Sequence, residues 1–96
     1  MYFVYILYSE KLKRYYVGQS DNVEKRLEEH NEKTKNPSSF TKRGIPWSLF
    51  YKIRCTSRHQ ARKIEVHIKK MKSKKYIENL KIYPAISLKL LVKYEE

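Results

Sequence analysis

Residues 2–8 read YFVYILY, a run in which aromatic, β-branched and aliphatic side chains fill odd and even positions alike. Successive side chains of a strand point to opposite faces, so a run apolar on both sides needs cover on both. This predicts a central strand and obliges the rest of the chain to supply neighbours and two covering layers. SEKLKR (9–14) is a charged turn, and YYVGQ (15–19) reads as the returning strand of a hairpin. In WSLFYKIR (47–54), Trp47, Leu49, Tyr51 and Ile53 alternate, which predicts a third strand with one apolar face.

The covering layers come from the remaining segments. Asp21 and Glu24 have capping-box spacing and open a predicted helix over about residues 22–33. Ser57 and Gln60 repeat that spacing ahead of a helix reaching about residue 72. A short helix is expected near 73–80, ended by Pro84, and the tail AISLKLLVKYEE leans to helix over strand. TKNPSSFTKRGIP (34–46), with two prolines and a glycine, reads as a long loop. The order ββαβαα describes an α+β fold: a small three-stranded, mostly antiparallel sheet flanked by helices, in one domain spanning 1–96.

Charge narrows the partners. Twenty-two Lys and Arg against ten Asp and Glu give a net charge of +12, and basic side chains gain affinity for phosphates by releasing counterions. A polyanion, nucleic acid above all, is the expected partner. Cys55 is the only cysteine and cannot form an internal disulfide, so a reducing cytoplasm is the expected setting. The opening residues lack a basic leader, and no run approaches the ~20 apolar residues that span a bilayer; neither signal peptide nor membrane segment is expected.

Two helices carry charges where burial is expected. At about 100° per residue, with Val23 at zero, Leu27 falls near 40°, His30 near −20° and Arg26 near −60°. Arg26 and His30 therefore flank the apolar stripe, where the plain alternatives are a snorkelling arginine and a hydrogen-bonded histidine. On the later helix Ala61, Ile64, Ile68 and Met71 form a seam, and Glu65 borders it. It is the only acid between Glu32 and Glu78. A carboxylate there needs a cation, so a metal ligand and a salt bridge both fit. Cys55 has no partner for a zinc site, His59 and His67 lack metal-pair spacing, and glycine-rich phosphate loops and GxSxG elbows are absent from the sequence.

These residues together resemble the GIY-YIG nuclease superfamily. Phe3-Val4-Tyr5 stands in the first motif, and Tyr16-Val17-Gly18 in the second, with ten residues between Tyr5 and Tyr16. Asp21, Arg26, Leu27 and His30 follow in the spacing D-x4-R-L-x2-H, and Glu65 stands on the helix that carries the family's metal-binding glutamate. The resemblance covers roughly 2–80 and is closest to the small stand-alone branch, similar to the nuclease domain that begins the bacterial excision-repair incision subunit. Phe3 replaces the first glycine of the motif, and Asn79 aligns loosely with a late supporting asparagine.

The resemblance implies hydrolysis of a DNA phosphodiester with Mg²⁺ or Mn²⁺ held by Glu65. It implies that Arg26 holds non-bridging oxygens and that Tyr16 orients or deprotonates the attacking water. Tyr5 would share that network, His30 would carry a proton or touch phosphate, and Gly18 would let the strand end turn and the backbone come close. Lys35, Lys42, Arg43, Arg58, Arg62, Lys63, Lys69, Lys70 and Lys72 would bind the backbone without reading sequence. The substrate reading is branched, nicked or flapped DNA in repair or processing, with RNA still fitting. A nucleic-acid-binding module of the same fold, inactive without a protein partner, is the alternative.

Overall fold

A computed structural model describes residues 1–32 and 39–95. Three strands, β1 (Tyr2–Ser9), β2 (Arg14–Ser20) and β3 (Trp47–Cys55), form an antiparallel sheet in the order β2-β1-β3. YFVYILY is the middle strand, as its two apolar faces require. Among the described residues five helices cover it: α1 (Val23–Asn31), α2 (Ser39–Arg43), α3 (Arg58–Met71), α4 (Lys74–Ile82) and α5 (Pro84–Lys93). The α+β class holds, with order ββααβααα. The segment expected as a long loop contains α2, and its residues 34–38 lie outside those described.

The sheet separates two apolar clusters. Val4, Ile6, Val17, Ile53 and Cys55 pack against Ala61, Ile64 and Ile68 of α3, Ile77 and Leu80 of α4, and Leu90 of α5. Tyr5, Leu7 and Trp47 face the other way, onto Val23 and Leu27 of α1 and Phe40 of α2. Even and odd positions of β1 thus serve different cores.

β3 departs from simple alternation. Ile6 pairs with Tyr51 and Leu7 with Leu49, leaving Phe50 as an extra residue in a bulge. An inserted residue reverses the facing of everything beyond it. Ile53 therefore lies in the α3–α5 core and Trp47 in the α1–α2 core, instead of on the shared face the alternation predicted.

Local bonds explain the helix boundaries. Asn22, rather than Asp21, caps α1: its side chain accepts from Lys25 N–H at 3.0 Å. Ser20 selects it, because the Ser20 hydroxyl accepts the Asn22 N–H at 3.0 Å and holds that residue extended. Ser57 caps α3 as predicted, accepting from Gln60 N–H at 3.1 Å. The Gln60 side chain turns back to Thr56 N–H (2.8 Å), and its amide donates to Leu91 O (2.9 Å), tying the start of α3 to α5. Ser73 caps α4, and Tyr83 ends it while preceding Pro84, the first residue of α5. Pro84 suits that position, where a helix has no use for an N–H.

Candidate active site

Tyr5 lies on β1 directly across from Gly18 on β2, and its ring crosses over that residue. A Cβ at Gly18 would sit 2.6 Å from the Tyr5 hydroxyl and 2.7 Å from Cζ, so only glycine leaves the ring its place. Gly18 does not have positive φ and lies inside the strand, so the turn expected of it is not its role. What the strand shows at Gly18 is the Tyr5 ring packed over its Cα.

Around Tyr5 the aromatic groups converge. Tyr16 lies 6.3 Å away between ring centroids, and the His30 ring is 4.4 Å from Tyr16. The Tyr5 hydroxyl reaches His30 Nε2 at 3.5 Å, with the imidazole tautomer deciding which group donates. Trp47 backs both rings, 6.2 Å from Tyr16 and 6.5 Å from His30. Its placement depends on Asn31, whose amide donates to Trp47 O (2.9 Å) while its carbonyl accepts Trp47 N–H (2.6 Å). Asn31 thereby pins the end of α1 to the start of β3. Sequence reasoning missed it, although it follows His30 directly.

The electrostatics of the cluster are set by burial and by Arg26. The Tyr5 phenol is pushed up to about 12, chiefly by burial and then by Tyr16, with Arg26 pulling the other way and Glu65 and Glu29 adding to the rise. Tyr5 therefore keeps its phenol proton at neutral pH. Burial and then the Arg26 cation push His30 below the usual imidazole range, against a smaller opposing effect of Glu29. A neutral imidazole carries one basic ring nitrogen.

Arg26 is half exposed and lies 3.7 Å from Glu29 in an exposed pair. Such pairs contribute little, so the guanidinium is released cheaply to an incoming phosphate. Glu65 approaches from the other side of the sheet, on α3, which packs along β2. Its side chain is 15% exposed and accepts from Lys69 Nζ at 2.8 Å. Of the two readings left open for this carboxylate, the salt bridge is present. It leaves the ligand reading standing, since Lys69 is 54% exposed and free to swing away.

Among the described residues no group of three or more His, Cys, Asp or Glu could enclose a metal. One carboxylate nevertheless suits Mg²⁺, which keeps most of its waters and is completed by substrate phosphates. Glu65 fits that donor set.

The remaining candidates scatter. Lys42 and Arg43 are exposed on α2, Arg58 and Arg62 on α3, and Lys35 lies outside the described residues. Asn79 is half-buried on α4, and its backbone carbonyl accepts Tyr83 N–H at the helix end. Cys55 is buried on the far face of the sheet. Arg14 and Lys74, absent from the predicted set, line a groove beside Tyr16 with Lys69 and Lys72. They escaped notice because they join only through the packing of α3 and α4 against β2.

The chain belongs to the GIY-YIG family of nucleases: the family's catalytic domain matches residues 1–77. Comparisons with curated proteins and with solved structures return no match. The family's nucleases cleave phosphodiesters and generally depend on a divalent metal. The end of α4 and all of α5 lie beyond the matched residues.

Proposed function

We propose that the chain, acting as one unit over 1–96, is a metal-dependent DNA endonuclease of structure-dependent or weak sequence preference, working in DNA repair or processing. The observation that carries this reading is the convergence of Tyr5, Tyr16, Arg26 and His30 at β1, β2 and α1, with Glu65 reaching Tyr5 electrostatically from α3. The small stand-alone branch, like the nuclease domain of the excision-repair incision subunit, is the branch we assign. The lone buried Cys55 supports a reducing cytoplasm as its compartment, and no helix among the described residues is long and apolar enough to cross a membrane.

Hydrolysis delivers a water oxygen to phosphorus, breaks the bond to the 3′ oxygen, and requires an acceptor for the water's proton. Tyr16 orients that water, and neutral His30, in ring contact with it, accepts the proton. Tyr5, held protonated, donates within the same network. Arg26 leaves Glu29 for the non-bridging oxygens, where a planar, bidentate donor is suited. Glu65 would hold Mg²⁺ or Mn²⁺, which when bound supplies charge neutralisation at the phosphate and at the leaving oxygen.

Cleavage of branched, nicked and flapped DNA with Mg²⁺ or Mn²⁺ tests this, with Glu65→Ala and Tyr16→Phe as controls. Wild-type cutting that both variants lose is expected; equal cutting by Glu65→Ala would defeat the reading, as would an inert wild type. The Glu65–Lys69 ion pair favours a second reading, a nucleic-acid-binding module that stays inactive until a partner draws Lys69 away. An inert wild type that still binds DNA or RNA would select it.

A further inference from the structure

α3 has two basic sides, and only one belongs to the site. At about 100° per residue with Ala61 at zero, Glu65 and Lys69 lie near 40° and 80°, whereas Val66, Lys70 and Lys63 lie near 140°, 180° and 200°. The first side opens on the groove beside Tyr16. The second forms one wall of a separate groove of about 450 Å³, closed on its other side by Tyr94 just after α5.

Arg62, Lys63 and Lys70 line this second groove together with Val66, and no acid lines it among the described residues. Val66 is 42% exposed there, an apolar floor between cations. His67 Nδ1 and the Tyr94 hydroxyl are 2.9 Å apart, and their rings meet edge to face at 5.7 Å. Burial, then Lys93 and Lys70, hold the imidazole below its usual range, a sign of the positive field in the groove. Cations spaced along a helix beside aromatic faces are what a sugar-phosphate strand with partly unstacked bases requires. The volume is that of a pocket for a nucleotide-sized group and too small for a duplex.

We propose that the groove between α3 and the end of α5 is a second nucleic-acid site, which holds a single strand other than the one at Tyr16 and Glu65. Phosphates pair with Lys63, Lys70 and Arg62, and a base lies against Val66 and Tyr94. Tyr94 follows α5, beyond the residues matched to the catalytic domain, so the C-terminal segment supplies one wall of this groove and α3 the other. Two strand sites on adjacent faces of one helix suit a substrate with a single-stranded branch. In that respect the inference rests on the nuclease reading and narrows its substrate to flapped or forked DNA.

The test is binding by the full chain, in EDTA, to fluorescein-labelled flapped DNA and to plain duplex of equal length, across a range of salt. Lys63→Glu/Lys70→Glu is compared with Lys81→Glu/Lys89→Glu, a pair of exposed lysines on α4 and α5 given the same charge change. The first double variant should weaken flap binding by roughly tenfold more than the second, and lower the slope of log K against log salt by about 1.4, as loss of two single-strand phosphate contacts dictates. Plain duplex should change equally in both. Lys63→Gln/Lys70→Gln, which keeps the fold free of new acids, should show the same selectivity at smaller amplitude. Equal losses on flap and duplex, or equality with the control pair, would overturn the proposal. Since no turnover is read, failure of wild type to cut DNA would remove the nuclease reading and leave this binding result intact.

Discussion

The two faces of the sheet are built from different materials. Toward α3, α4 and α5, β1 presents Val4 and Ile6, and the facing residues are aliphatic: Ala61, Ile64, Ile68, Leu80 and Leu90. Toward α1 and α2 it presents Tyr5 and Leu7 beneath Tyr16, His30 and Trp47. The first face has a buried aliphatic centre, with tyrosines such as Tyr15, Tyr51 and Tyr76 only at its edge. The second carries hydroxyls and ring nitrogens at its rim, and these pull against full burial. A small domain with one central strand thus gives one face to stability and lends part of the other to chemistry.

That division can be broken from either side. Tyr16→Phe should lower cleavage by about 10²–10⁴, the range for a positioned acid–base group, while thermal unfolding stays within about 2 °C of wild type. Ile64→Ala should do the reverse. Ile64 is wholly buried, so its truncation should cost about 2–5 kcal/mol and lower the melting temperature by tens of degrees. A Tyr16→Phe variant that melts as early as Ile64→Ala would erase the distinction.

Gly18→Ala sits between the two. The new Cβ must displace the Tyr5 ring, so a loss of about 1–3 kcal/mol together with a loss of activity is expected, read by melting and cleavage on the same sample. Asn31→Ala leaves the Trp47 N–H and C=O without their side-chain partner, and should cost about 1–3 kcal/mol in denaturant unfolding. Its loss should also loosen His30 against Trp47, visible as a change in Trp fluorescence.

The smallest effect is a pH dependence. A His30 whose folded pKa lies below its unfolded value binds fewer protons folded than unfolded. Its contribution is intact above about pH 6.5 and is lost as pH falls from there through the folded pKa. His67 acts with the same sign. His30→Asn should therefore flatten the acid side of a stability profile measured by denaturant between pH 5 and 8, and a steeper acid limb would contradict the assignment.

Much of this was legible in the sequence. YFVYILY announced a strand covered on both faces, and Ser57 announced the start of α3, because those signals are local. The flanking angles of Arg26 and His30, and the solitude of Glu65, marked residues that the fold brings within electrostatic reach of Tyr5. What escaped were features decided between neighbours. Asp21 and Asn22 are both good caps, and the Ser20 hydroxyl chose between them. Helix α2 lies in a segment rich in turn-forming residues, where Phe40 finds Trp47 to pack on. Gly18 looked like a turn residue until the ring of its cross-strand partner explained it.

The bulge at Phe50 has a further consequence for relatives of this chain. A strand that changes phase midway cannot be aligned by its apolar pattern alone: residues before and after Phe50 answer to different cores, and matching both demands a one-residue gap. Homologues aligned without that gap would appear to exchange Trp47 for a polar residue, when they had only lost or gained the insertion.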